Sequence, residues 1–264
     1  MNLQLSGQRA LVTGSTAGIG FAIAQALAAE GAHVVINGRS EAGVAAALQR
    51  LQTAVPGARL SAAAADAATA EGCAQLMALS GEVDILVNNL GIFEPKAFEA
   101  TPDEDWTRLF ETNVMSGVRL SRAALPGMKA RNRGRVVFIS SESGICPPAE
   151  MVHYGMTKSA QLSVARGLAE TCVGTAVTVN SVLPGPTLTE GARDFLNKLA
   201  AEQGMSFEDT VQAFFSQARP TSILRRFIQP DEVAAMVCYV CSPLSAATNG
   251  TALRVDGGVV RSLV

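Results

Sequence analysis

The sequence predicts an α/β fold, a doubly wound parallel sheet of about seven strands forming one domain over residues 1–264, and three observations carry that expectation. Short apolar runs alternate with stretches of helical period along the whole chain. The first run opens directly into a glycine-rich turn and then a helix, the local pattern of a strand feeding a crossover helix. Apart from alanine-rich helices, no linker, repeat or low-complexity segment interrupts the alternation.

In chain order, Ala10 to Val12 is the first strand, and Ile19, Ile23 and Leu27 mark the helix after it. Between them, Gly14, Gly18 and Gly20 let the chain turn tightly and bring backbone N–H groups near a pyrophosphate, which the positive end of the helix favours. The spacing is Gly-x-x-x-Gly-x-Gly rather than the commoner Gly-x-Gly-x-x-Gly. It marks Gly14, Ser15, Thr16, Gly18, Ile19 and Gly20 as candidate cofactor contacts in a Rossmann-type sheet. His33 to Asn37 is a second strand and Ala42 to Leu51 a helix, joined by Asn37-Gly38-Arg39-Ser40. That joint carries a guanidinium and no carboxylate at its tip, which favours NADP(H) over NAD(H). The opposing reading makes Arg39 a solvated surface residue and Glu41 the ribose-binding acid, with NAD(H) as cofactor.

Arg59 to Ala65 is a third strand ending at Asp66, which also suits the N-cap of the next helix. Ile85 to Asn88 is the fourth, running into Asn88-Asn89-Leu90-Gly91 at a carboxyl strand end, where such sheets place ligands. A long helical region from Asp103 to Ala130 is expected to break near Thr112-Asn113. Val136 to Ile139 is the fifth strand, followed by Ser140-Ser141, a proline-bearing loop and a helix from about Met151 to Cys172. Thr175 to Val182 is the sixth strand, leading to Pro184-Gly185-Pro186-Thr187. Residues 187–222 hold helical pieces and no strand, which makes them a candidate substrate lid or, alternatively, an oligomer contact. Asp231 to Ser242 is the last helix and Ala252 to Val255 the seventh strand.

Composition narrows the function. With 48% apolar and 17% charged residues and a net charge of −2, the chain suits a well-packed enzyme and not a nucleic-acid partner. Five scattered cysteines fit reduced thiols, and Cys238 and Cys241 fall inside an apolar helical pattern, so they are assigned to the core and no metal site is expected. No apolar run reaches membrane-spanning length, and the first strand starts within ten residues of Met1. A soluble cytoplasmic protein without membrane partners is expected.

The chemistry is concentrated in one pair. The chain has two tyrosines and four lysines, yet Tyr154 and Lys158 stand four apart on a helix, where their side chains share a face. A free phenol titrates near about 10, and a nearby ammonium is expected to lower it toward the range useful for general acid and base work. A carbonyl accepting hydride needs such a proton donor, and Ser141 upstream offers a second hydrogen bond to its oxygen. A surface Tyr/Lys pair and a capping serine are the plainer alternatives. His153 adjoins the tyrosine but points about 100° away on the helix, and it is assigned to packing or surface.

Taken together, Thr13-Gly-Ser-Thr-Ala-Gly-Ile-Gly20, Asp66, Asn88-Asn-Leu-Gly91, Asn113, Ser141, Tyr154 with Lys158, Pro184-Gly-Pro-Thr187 and Val255-Asp-Gly-Gly258 resemble the short-chain dehydrogenase/reductases across essentially the whole chain. The resemblance extends to 3-oxoacyl-[acyl-carrier-protein] reductases. It implies Tyr154 as proton donor or acceptor and Ser141 as holder of the substrate oxygen. It implies that Lys158 binds the nicotinamide ribose and depresses the phenol, and that Asn113 supports a proton relay. Asp66 would contact adenine, Asn88 and Gly91 would lie beside the cofactor, and Pro184, Gly185 and Thr187 would hold its nicotinamide end. Two positions depart from the family pattern: Leu90 replaces an alanine, and Ala17 stands where many NADP-preferring members carry a basic residue.

The expected function is therefore an NADP(H)-dependent oxidoreductase interconverting a carbonyl and a secondary alcohol on a small-molecule substrate, assembled as a homotetramer. The tetramer rests on the resemblance and on the apolar end Val259 to Val264. The rivals are an NAD-linked sugar or polyol dehydrogenase and a non-catalytic nucleotide-binding scaffold.

Overall fold

The computed structural model describes residues 2–263. Seven strands form one parallel sheet in the order β3-β2-β1-β4-β5-β6-β7, with β1 (Arg9–Val12), β2 (His33–Gly38), β3 (Arg59–Ala64), β4 (Ile85–Asn88), β5 (Gly134–Ile139), β6 (Val177–Pro184) and β7 (Ala252–Val255). Strands β4, β5 and β6 are buried along their whole length, as near-continuous apolar runs predict for a sheet covered on both faces. The order reverses between β1 and β4, which opens a crevice at their carboxyl ends.

One face is covered by α1 (Gly18–Ala29), α2 (Glu41–Ala54) and, much further along the chain, a helix over Pro230–Cys241. Their core includes Ile23, Leu27, Val44, Leu51, Val233 and Val237 against Val12, Ile36 and Val87. The other face carries α3 (Ala70–Ser80), α4 (Asp103–Phe110), α5 (Ser116–Ala130) and α6 (Val152–Glu170), and Leu76, Leu120, Met128 and Ala165 pack there with Leu86 and Phe138. Between α4 and α5 the helix widens into a π-turn at Glu111–Met115, the break expected near Thr112-Asn113.

Helices α7 (Glu190–Gln203) and α8 (Phe207–Gln217) stand apart from both layers. They own a small core of Leu196, Phe215 and Phe227, in which the rings of Phe214, Phe215 and Phe227 lie 4.9–5.1 Å apart. The base of this unit rests on the glycine turn: a Cβ at Gly18 would meet the Thr189 methyl at 3.2 Å. The last helix, α9 (Pro230–Cys241), starts on Pro230 with a reciprocal Gln229–Glu232 cap, one residue before the predicted start.

Three sequence expectations shift. Asp66 does not cap α3; Thr69 does, accepting from the Gly72 N–H, while the Asp66 carboxylate accepts from the Ala68 N–H. Strand β6 continues to Pro184, whose missing N–H is tolerated at the strand's end, where it pairs with Val255. The apolar tail is covered only at its start: Val259 and Val260 are buried in their own chain, with the Asp256 carboxylate accepting from the Val260 N–H, while Arg261, Ser262 and Leu263 are exposed. Val264 lies outside the described residues. Cys238 and Cys241 are buried in the α9 core, and burial pushes the Cys238 thiol up to about 12. No helix among the described residues is long and apolar enough to cross a membrane.

Candidate active site

Every predicted site residue except Asn113 lies at the carboxyl edge of the sheet, at the last strand residues or in the turns after them, or on the first two turns of α1 and α6. A polar clamp draws the turns around the crevice together. The Thr13 hydroxyl accepts from the N–H groups of Asn89 and Leu90, both at 2.9 Å, and the Asn89 amide donates back to the Thr13 carbonyl at 2.9 Å. Buried Asn37 at the end of β2 accepts from the Gly14 N–H at 3.2 Å and donates to the carbonyls of Ala63 and Ala65. Asn37 and Asn89 thus tie β1 to β2, β3 and β4, a structural role that their place in loop motifs does not announce.

Within the glycine turn, Gly14 and Gly18 adopt φ of +60° and +56°, the left-handed region that favours glycine. Gly20 is required for packing, because a Cβ there would lie 2.5 Å from both the Asn89 amide nitrogen and the Gly14 carbonyl oxygen. Ser15 corrects its sequence assignment. Its hydroxyl donates to the Val12 carbonyl and accepts from the Asn37 N–H, and its own N–H donates to the Asn37 carbonyl. Fully buried and internally paired, it shapes the turn and presents no side-chain atom to a ligand. Thr16, Gly18 and Ile19 are partly exposed.

The cradle fits a dinucleotide pyrophosphate. The N-cap position of α1 is Ala17, and no side chain caps it, whereas Ser40, Thr69, Thr189 and Ser206 cap α2, α3, α7 and α8. The first-turn N–H groups of α1 are left for a ligand at the positive end of the helix. Arg39 is exposed just past β2 and Asp66 just past β3. Asn88 is buried with its side-chain oxygen unpartnered, its amide donating to Ser121. Gly91 lies beside Lys158 and Asn113: a Cβ there would be 3.4 Å from the Lys158 Nζ. The Thr187 hydroxyl turns back onto the Gly185 carbonyl at 2.9 Å. Gly185 instead faces the backbone of Asp256, where a Cβ would come within 2.7 Å, so its lack of a side chain serves strand packing.

Ser141, Tyr154 and Lys158 converge beside the crevice, with Ser141 and Lys158 buried and Tyr154 half-buried. The Lys158 ammonium donates to the Ile139 carbonyl at 2.9 Å and to the Gln161 Oε1 at 3.2 Å. Gln161, three residues further on α6, donates in turn to the Asn113 carbonyl at 2.6 Å. The π-turn thereby joins the lysine through Gln161, which belongs to no sequence motif but whose helical spacing from Lys158 places it on the same face. The Asn113 side chain brackets Ile92, accepting from its N–H and donating to its carbonyl, and donates also to the Thr157 hydroxyl. His153 is buried against Trp106, the packing role expected of it.

Electrostatics overturn one expectation. Lys158 lies 5.6 Å from the centroid of the Tyr154 ring, over its face, and is not among the groups that move the phenol. Burial first, and then the charge of Glu142, push the phenol above its ordinary value, outweighing the smaller lowering by Ser141 and Arg219. Burial also lowers the Lys158 ammonium to about 7, against a raising effect of Glu142. Glu142 and Arg219, which no sequence motif marks, are part of this site. The Ser141 hydroxyl donates to the Glu142 Oε2, and the Arg219 Nε donates to the Glu142 Oε1 at 3.2 Å.

Comparisons with known proteins agree with this architecture. The family described as short chain dehydrogenase matches residues 8–200. An uncharacterized oxidoreductase, YvaG, of Bacillus subtilis (strain 168) is 52% identical over 263 residues, covering 100% of both chains. The 3-oxoacyl-[acyl-carrier-protein] reductase FabG of Escherichia coli (strain K12) is 32% identical, covering 97% of this chain and 99% of its own. The crystal structure of L-sorbose reductase from Gluconobacter frateurii, complexed with NADPH and L-sorbose, superposes with a TM-score of 0.93 at 32% identity over 100% of both chains.

The lysine makes a stability prediction. Its folded value, about 7, lies below the ordinary 10.5, so between those limits the unfolded chain binds the extra proton and stability rises with pH. Urea unfolding midpoints at pH 7 and pH 9.5, referred to Lys158→Met, are expected to show the wild type gaining more on alkalinisation. Equal gains in both proteins would contradict a lysine desolvated in the fold.

Proposed function

The chain belongs to the short-chain dehydrogenase/reductase family and is an oxidoreductase of carbonyl and hydroxyl groups that uses a nicotinamide dinucleotide; from that premise we propose that Tyr154, Ser141 and Lys158 are its reaction centre and that it prefers NADP(H). The observation that carries the proposal is the convergence of these three side chains at the crevice beside an uncapped helix N-terminus. The bound nicotinamide supplies hydride to a carbonyl or takes it from an alcohol. Tyr154, kept protonated at neutral pH by burial and by Glu142, donates a proton to the carbonyl oxygen during reduction. Ser141 holds the same oxygen. Lys158, in reach of Gly91 and anchored through Ile139 and Gln161, holds the ribose side of the cofactor, and Asn113 keeps the π-turn in register with it.

Around this centre, Gly14, Thr16, Gly18, Ile19 and Gly20 form the pyrophosphate cradle, Asp66 and Asn88 flank the adenosine and nicotinamide sides, and Pro184 to Thr187 close the far wall. Residues 187–222 are the substrate lid, a reading supported by their separate core and by Arg219 reaching back to Glu142. The substrate is a small ketone or secondary alcohol. A sugar or polyol is favoured as the second reading by the similarity to L-sorbose reductase. The protein works in the cytoplasm.

Tyr154→Phe keeps the ring and removes the proton. Reduction of L-sorbose or ethyl acetoacetate, whichever the wild type turns over faster with NADPH, is expected to slow at least about a hundredfold while NADPH binding stays near wild type. A near-normal kcat would show that Tyr154 is not the acid.

The NADP(H) preference rests on Arg39, an exposed guanidinium with no partner among the described residues. The NAD-type alternative gives the ribose to Glu41, which is exposed in the first turn of α2. Charge-assisted pairing with a 2′-phosphate is worth about 1.5–3 kcal/mol, roughly ten- to hundredfold in affinity. Arg39→Ala is expected to remove most of that margin and to leave NADH binding unchanged. Dissociation constants for both cofactors at one ionic strength decide it, and equal wild-type affinities would favour the NAD-linked reading.

Assembly as a homotetramer rests mainly on family resemblance, with the exposed Leu263 of the tail as its second support. Light scattering is expected to return the mass of four chains, and a monomer mass across working concentrations would contradict it.

A further inference from the structure

A buried carboxylate sits inside the proposed reaction centre, and neither the resemblance nor the chemistry of Ser141, Tyr154 and Lys158 calls for it. Glu142 is 6% exposed at its side chain and follows Ser141 directly in the chain. Its Oε2 accepts from the Ser141 hydroxyl and from the Ser143 N–H at 3.0 Å, and its Oε1 accepts from the Arg219 Nε at 3.2 Å. Arg219 is 12% exposed and comes from the segment after α8, 77 residues away in sequence. Its guanidinium also donates to the Glu150 carboxylate at 3.0 Å and to the Ala218 carbonyl at 2.7 Å.

The arrangement constrains Ser141. A hydroxyl has one proton to donate, and here that proton goes to a carboxylate, while the Ser143 N–H at 3.1 Å fills one of the serine's acceptor positions. In this state the serine can accept from an alcohol. To donate to a ketone oxygen it must turn its proton away from Glu142. That turn strips a charged group of one partner, which is costly for a buried carboxylate unless other donors hold it. Two remain, the Ser143 N–H and the Arg219 guanidinium. Only the second carries charge, and only the second belongs to the lid.

We propose that Glu142 is a positioning residue that orients the Ser141 hydroxyl, and that Arg219 holds the Glu142 carboxylate so that this hydroxyl can turn to the substrate oxygen. The inference rests on the reading of Ser141 and Tyr154 given above. It makes the lid a participant in the chemistry: displacing Arg219 leaves the serine proton bound to an unpaired carboxylate, and seating Arg219 releases it. The charged groups facing the Tyr154 phenol are then Glu142 from the loop after β5, Lys158 from α6 and Arg219 from the lid, with Glu150 behind Arg219.

The test uses the full-length protein with NADPH and L-sorbose or ethyl acetoacetate, and the corresponding alcohol with NADP⁺ for the reverse direction. Arg219→Met is expected to lower kcat for reduction by about tenfold, the difference between a neutral and a charge-assisted hydrogen bond at the serine. Adding Glu142→Gln to Arg219→Met keeps the side-chain shape and removes the charge that traps the proton, so the double variant is expected to recover part of that loss. Glu142→Gln alone is expected to move the rising, acid-side limb of alcohol oxidation to lower pH, because the phenol that must lose its proton there loses an adjacent negative charge. Thermal unfolding and NADPH titration establish that each variant is folded, and Arg219→Lys, which keeps the charge, is expected to retain more activity than Arg219→Met if the latter is destabilised. The inference is overturned if Glu142→Gln leaves kcat, KM and the pH profile at wild-type values, or if the double variant is no faster than Arg219→Met. A wild type that binds NADPH and reduces neither ketone takes down the underlying reading as well, which separates the two failures.

Discussion

The clamp at the carboxyl ends of β1, β2 and β4 is the constraint on which the rest of the molecule depends. A doubly wound sheet reverses its strand order at one place, and there the turns leaving β1 and β4 must stand open enough for a ligand yet remain joined. Burying backbone N–H and carbonyl groups in such an opening is costly unless each finds a partner. Thr13, Asn37 and Asn89 supply those partners from three different strand ends. With them satisfied, the glycine turn can hold its left-handed residues and leave the first turn of α1 without a side-chain cap.

The proposed reaction centre is assembled on the other side of the same crevice by a different device. Strand β5 leads into Ser140 and Ser141, and α6 returns across it so that the Ser140 hydroxyl donates to the Lys158 carbonyl at 2.8 Å. That bond, with Lys158 reaching Ile139, fixes helix to strand at the point where Tyr154 and Ser141 meet. The π-turn adds the third wall through Asn113 and Gln161. Rigid elements therefore set the distances, while the 187–222 segment carries a separate core around Leu196, Phe215 and Phe227.

The fold was legible because its signals are periodic. The glycine turn, the strand ends at Asn88 and Ile139, and the break at Thr112-Asn113 could each be placed from local pattern, and the pair at Tyr154 and Lys158 from helical spacing. What escaped depends on neighbours distant in sequence. Ser15 reads as a ligand residue in a glycine-rich loop, but its hydroxyl is claimed by Val12 and Asn37. The phenol was expected to fall beside a lysine, yet burial and Glu142 raise it, and neither depth nor a carboxylate's direction can be read from spacing. Arg219 carries no local signal, since its partner is 77 residues away. Val259 and Val260 look like a sticky tail until the chain is seen to cover them.

The central claim is that this crevice passes hydride between a nicotinamide and a carbonyl carbon, and isotope transfer tests it most directly. NADPH carrying deuterium at both hydrogens of the nicotinamide C4 would be incubated with the wild type and L-sorbose or ethyl acetoacetate, and the product alcohol examined by mass spectrometry. One deuterium on the former carbonyl carbon is the predicted result. A product alcohol without deuterium on that carbon would contradict the claim.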